Sequence, residues 1–104
     1  MNTHNWTPDD YPEMFDKLPL DRQTFLLNWI EENIRPIQSF NTKHTSYGLK
    51  QRISSSDGKR EYFYNGEFKG AMLKSGYKVK DPDALNWVFN ISANSPIFKL
   101  PPLA

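Results

Sequence analysis

The longest helical period in the chain runs from Asp21 to Ile34, where Phe25 and Trp29, and likewise Leu26, Ile30 and Ile34, recur at four-residue spacing to give a wide apolar face. Asp21 stands in the cap position, and Arg35-Pro36 ends the helix because a residue before proline is pushed out of helical geometry. A second, shorter helix is predicted from Ser46 to Ser54, with Tyr47, Leu49 and Ile53 offered to the core and Lys50 and Arg52 outside. The clearest helix follows Asn65. Glu67 suits the first turn, Phe68, Ala71, Met72 and Ser75 share one apolar or small face, Lys69 and Lys74 lie opposite, and Gly76 closes the helix in a left-handed conformation with Tyr77 folding back. Gly66 and Gly70 weaken such a helix by roughly 1 kcal/mol each relative to alanine. Gly70 lies on the lysine side, where it lets another backbone approach: a neighbouring helix or a nucleic-acid strand.

Period two appears near the end, where Trp87, Phe89 and Ile91 alternate with Val88, Asn90 and Ser92 as in a half-buried strand. Lys78 to Lys80 is placed to pair with it as a small β-hairpin. For residues 81–87 two readings stand, a turn or a short helix opened by Asp81-Pro82. Tyr62-Phe63-Tyr64 reads as one short strand or extended plug, Ser54 to Gly58 as a flexible loop, and Phe40 as a core plug. Residues 1–20 form an N-terminal arm packed on the domain through Trp6, Tyr11, Met14, Phe15 and Leu18, with a short helix from Pro12 ended by Pro19. Residues 95–104 form a Pro-rich extended tail whose Ile97, Phe98 and Leu100 dock on the surface, leaving residues 21–94 as the domain.

A chain of 104 residues with three Trp, seven Phe and five Tyr can build one modest, aromatic core. The absence of cysteine excludes a disulfide, a thiol nucleophile and a cysteine zinc site, and fits a reducing compartment. Met1 to Pro8 has no signal-peptide pattern and no stretch approaches a membrane span, so the expectation is a cytoplasmic protein with no membrane partner. Charge changes the picture more than its near-zero total suggests. Residues 1–34 hold seven acids against two bases, whereas residues 35–80 hold ten bases against three acids, a segregation that speaks about partners.

Catalytic constellations are missing. His4 and His44 have no metal-type partner three or four residues away, adjacent Glu31 and Glu32 diverge on a helix, and Gly66-x-x-x-Gly70 lacks the lysine and hydroxyl pair of a phosphate-binding loop. The expectation is a protein that is not an enzyme and carries no cofactor and no metal.

Helix, helix, short strand, helix and hairpin is the order of a winged helix-turn-helix domain, so the predicted fold is α+β: a small, mostly helical winged-helix-like domain of three helices and a β-hairpin. Phosphate contacts then fall to Lys50, Arg52, Lys59, Arg60, Lys69 and Lys74, with Lys78 and Lys80 in the wing, and the candidate partner is double-stranded DNA. Against this stand a connection of about ten residues where the usual turn has three or four, and a recognition helix whose only base-reading side chain is the capping Asn65. The rival is a protein-protein interaction module that uses its uneven charge to steer a phage or host protein. The runs Phe25 to Ile34, Thr45 to Lys50, Asn65 to Leu73 and Leu85 to Ser92 resemble small uncharacterised phage and prophage proteins of Gram-positive bacteria. That resemblance implies a phage-related accessory protein and adds no site residue.

Overall fold

The helix that follows Tyr64 sits at the centre of the molecule because two of its residues have no side chain. A computed structural model describes residues 5–101, so His4 and the tail residues from Pro102 onward lie outside the described residues. Helices α1 (Leu20–Asn33), α2 (Ser46–Lys50) and α3 (Asn65–Lys74) are flanked by 3₁₀ turns, Pro8–Asp10 and Pro12–Lys17 before α1 and Pro96–Lys99 after α3. A Cβ built on Gly66 would lie 2.2 Å from the Tyr11 carbonyl oxygen, and one on Gly70 would lie 2.3 Å from that of Pro12. The backbone that approaches these glycines is therefore the chain's own N-terminal arm. With α1 and α2 packed elsewhere on it, α3 is buried continuously from Asn65 to Met72.

The ends of α3 follow local chemistry. Tyr64, not Asn65, stands at the cap position, and its N–H donates to Glu67 at 2.8 Å. At the other end Gly76 has φ +90°, its N–H donates to the Leu73 carbonyl, and the Tyr77 N–H reaches back to Met72, the paired closure that a left-handed glycine permits. In α1 the capping carbonyl belongs to Pro19, which accepts the N–H groups of both Arg22 and Gln23, so the helix starts one residue before the expected cap Asp21.

The expected winged-helix fold is not formed. No β-strand occurs among the described residues, and all that remains of the hairpin is one isolated antiparallel bridge between Val79 and Phe89. The alternation does turn Trp87, Phe89 and Ile91 inward, all of them buried. What prevents a ladder is that this segment spends its backbone on several neighbours: the Trp87 carbonyl accepts from Ser46, that of Phe89 from Asn41 and that of Asn90 from Ile37, while the Ser92 N–H donates to Arg35. The Lys78 N–H, which a hairpin would direct at a carbonyl, donates instead to the Asn90 side chain at 2.7 Å. Residues 81–87 make a turn, closed by the Ala84 N–H on the Asp81 carbonyl, with no helix. The second helix stops at Lys50, four residues short of expectation, and Ile97 lies in the core with zero exposure. Phe40, expected as a core plug, is 37% exposed and outside the core.

One buried polar knot ties four segments together. The Ser46 hydroxyl donates to Asn65 Oδ1 at 2.7 Å and accepts the Trp87 N–H at 3.0 Å, while Asn65 Nδ2 reaches Asp10, the Leu85 carbonyl and Asn86. Removing a buried partner leaves the others desolvated and unmatched, at about 1–3 kcal/mol for the groups stranded. Asn65→Ala should thus lower unfolding free energy by about 2 kcal/mol in a urea titration, and a change within 0.5 kcal/mol, as for a surface site, would show that the knot is dispensable. None of the described helices is long and apolar enough to cross a membrane.

Candidate nucleic-acid interface

The extended segment before α3 places alternate side chains on opposite sides, and Phe63 goes inward. Arg22 of α1 fastens it there: its guanidinium lies 4.2 Å from the centre of the Phe63 ring, donates to Glu61 at 2.7 Å and donates to the Tyr62 carbonyl at 2.8 Å. Tyr62 and Tyr64 consequently face solvent, 59% and 42% exposed, with ring centres 5.8 Å apart and edge to face. Beside them α2 presents Tyr47, 52% exposed. Because Leu49 is the α2 residue committed to the core, Tyr47 is turned outward, contrary to its expected role.

Lys50 lies between these rings. Its ammonium is 4.9 Å from the centre of Tyr47 and 5.1 Å from that of Tyr62, and only 5% of the residue is exposed. Burial, reinforced by the charge of Arg60, lowers its pKa, while Glu67 pulls weakly the other way. Arg60 also lies over the Tyr62 ring, at 5.5 Å from its centre. It is positioned by the turn over Ser54 to Gly58, where Gly58 has φ +82°, Ser55 is hydrogen-bonded to Asp57, and Ser54 and Arg60 form an isolated bridge. The Asp57 carboxyl, held below the usual range by Ser55 and by the Lys59 N–H, closes that turn. Lys59 is exposed beside it. The acids nearby are engaged: Glu61 on Arg22, and Glu67 on the Tyr64 N–H with its pKa raised by burial.

Lys50 and Arg60 of the eight predicted cations thus gather at one tyrosine-lined surface, and Lys59 is exposed in the turn next to Arg60. Arg52 stands apart, 5.5 Å from the centre of Phe98. Lys74 faces Asp16 at 3.7 Å, with both side chains mostly in water. Lys78 and Lys80 are exposed in the segment expected to form the wing, which is not a wing. Lys69 is fully buried, its ammonium 3.7 Å from the centre of Trp6 and 4.8 Å from that of Trp87, without a hydrogen-bond partner. It is not available to a phosphate, and α3 cannot enter a DNA groove without the arm being removed. Sequence reasoning alone does not single out the three exposed tyrosines. For Tyr62 and Tyr64 the signal is the alternation in Tyr62-Phe63-Tyr64, in which one ring goes in and two go out; for Tyr47 there is none.

Among the described residues no group of three or more His, Asp or Glu side chains is placed to hold a metal. No protein-family model matches the chain, and no curated protein or solved structure matches it either. With no relative to carry a function over, function rests on the chemistry of this surface.

Proposed function

We propose that this protein is a non-enzymatic, cytoplasmic accessory protein that binds single-stranded nucleic acid on the surface of Tyr47, Tyr62 and Tyr64. One observation carries the reading: three exposed tyrosine rings are interleaved with Lys50 and Arg60, while the neighbouring carboxylates Glu61 and Glu67 are spent on other partners. Rings offer stacking platforms to unpaired bases and the cations track the backbone, which is the combination that single strands require. A duplex hides its base faces and would meet only the cations, so it is expected to bind more weakly. Phosphates approach Arg60 first, with Lys50 adding positive potential between the rings.

Fluorescence anisotropy of a labelled mixed-sequence single strand, at about 50 and 200 mM salt, tests this reading. The expected result is binding that weakens with salt and is stronger than binding to the matching duplex. Loss of one stacking ring costs about 1–3 kcal/mol, so Tyr62→Ala should weaken binding by roughly tenfold at unchanged thermal stability. Equal affinity of duplex and single strand, or indifference to Tyr62→Ala, would refute it. The second reading is a protein partner, from phage or host, and is favoured by the same composition, since Tyr and Arg dominate the energetic centres of protein interfaces. It predicts no binding of either nucleic acid at low salt.

A further inference from the structure

On a different part of the molecule, the connector after α1 and the C-terminal 3₁₀ turn enclose an open cleft of about 590 Å³. One wall is aromatic and apolar: Phe98 with Phe40, Ile37 and Ile91. His44 stacks on Phe98 with ring centres 4.3 Å apart and planes inclined by 30°, and the Arg52 guanidinium lies over the same Phe98 ring at 5.5 Å. Lys43 lines the cleft beside them, and the polar lining from Asn41, Thr42 and Ser39 includes no carboxylate. Arg52 and Lys43 make no ion pair among the described residues. Positive charge that no ion pair neutralises among the described residues thus adjoins the Phe98 ring and the exposed Phe40. Phe40 and Ile37 keep 37% and 40% of their surface exposed there.

We infer that this cleft binds a nucleoside monophosphate, with the phosphate held by Arg52 and Lys43 and the base lodged against Phe98 and Phe40. Its volume lies within the range of small-ligand sites. An arginine fork suits a phosphate better than a point charge does, and a planar base can use a ring wall that a bare anion cannot. His44, kept neutral at physiological pH by burial and by the charges of Arg52 and Lys43, leaves the positive charge to those two residues. None of these residues belongs to the tyrosine surface, so the inference stands or falls apart from the strand-binding reading.

The test is isothermal titration of the full chain with adenosine 5′-monophosphate, with adenosine and inorganic phosphate as separate titrants. Arg52→Gln and the solvent-exposed Lys43→Gln are compared with the wild type, and Tyr62→Ala serves as the control from the other surface. The expected result is saturable binding of the monophosphate, weaker binding of either half, loss of about tenfold in affinity in each cleft variant, and no change in Tyr62→Ala. Absence of binding at millimolar nucleotide would overturn the inference. So would phosphate binding as tightly as the nucleotide, an affinity unaffected by both cleft variants, or an equal loss in Tyr62→Ala.

Discussion

Gly66→Ala is expected to lower the melting temperature by roughly 10 to 20 °C, although in an exposed helix the same change would stabilise by about 1 kcal/mol. A Cβ at this position meets the Tyr11 carbonyl at 2.2 Å and that of Asp9 at 2.7 Å, both backbone atoms that no rotamer change can move. Packed interiors resist compression, so the arm must shift by about 1 Å or leave. Either way part of the burial of Phe15 and Trp6 is lost, together with the Asp10 contact to Asn65. Overpacking typically costs 1–3 kcal/mol, and displacement of a buried aromatic puts this site at the upper end, about 3 kcal/mol net. Gly70→Ala should behave alike, since its Cβ meets Pro12 at 2.3 Å and Phe15 at 2.5 Å. Gly48 in α2 is the control: nothing lies within 4 Å of its added Cβ, so Gly48→Ala should be neutral or stabilising. Thermal melts of the three variants check this, and equal melting temperatures would mean that the arm does not dock through the glycines.

Stability should rise as pH increases from about 8 to 10.5, and Lys69→Met should remove most of that rise. Burial between Trp6 and Trp87 without a hydrogen-bond partner pushes Lys69 down to about 8 from the ordinary 10.5, with Asp10 opposing weakly. The unfolded chain therefore binds more protons within that window, and the native state gains on it by up to 1.4 kcal/mol per pH unit. The whole interval amounts to about 3 kcal/mol. Contact with two indole faces offsets some of the cost of the buried charge at neutral pH. Lys50, lowered by burial, adds a smaller rise of the same sign, whereas Tyr77, raised by burial, favours the folded state less above pH 10. The difference between wild type and Lys69→Met isolates Lys69. Urea unfolding from about pH 7 to pH 10 measures it: converging stabilities are expected as pH rises, and parallel ones would contradict a buried ammonium.

Much of the fold could be read where the signal was local. The four-residue spacing in α1 and the Gly76 closure of α3 depend on neighbours within one turn, and both are formed. Alternation in Trp87 to Ile91 gave the inward face correctly but not the hydrogen-bond partners, because pairing is settled by Ser46, Asn41 and Ile37 far away in the chain. Lys69 was misplaced for a related reason. A lysine opposite an apolar face is ordinarily solvated, and only the arm, seated on two glycines, turns that side of α3 into interior. Of the eight cations proposed from clustering, the surface arrangement of Lys50 and Arg60 emerges only once Arg22 has fixed which rings of Tyr62-Phe63-Tyr64 point out.

The binding surface itself is most directly tested by ring resonances of ¹³C-tyrosine-labelled protein titrated with a short single strand. The chain has five tyrosines, of which Tyr47, Tyr62 and Tyr64 lie on the proposed surface and Tyr77 is buried beneath α3. Shifts at Tyr47, Tyr62 and Tyr64 with Tyr11 and Tyr77 unmoved are the predicted result. Binding that leaves those three unmoved would place the strand elsewhere and contradict the proposal.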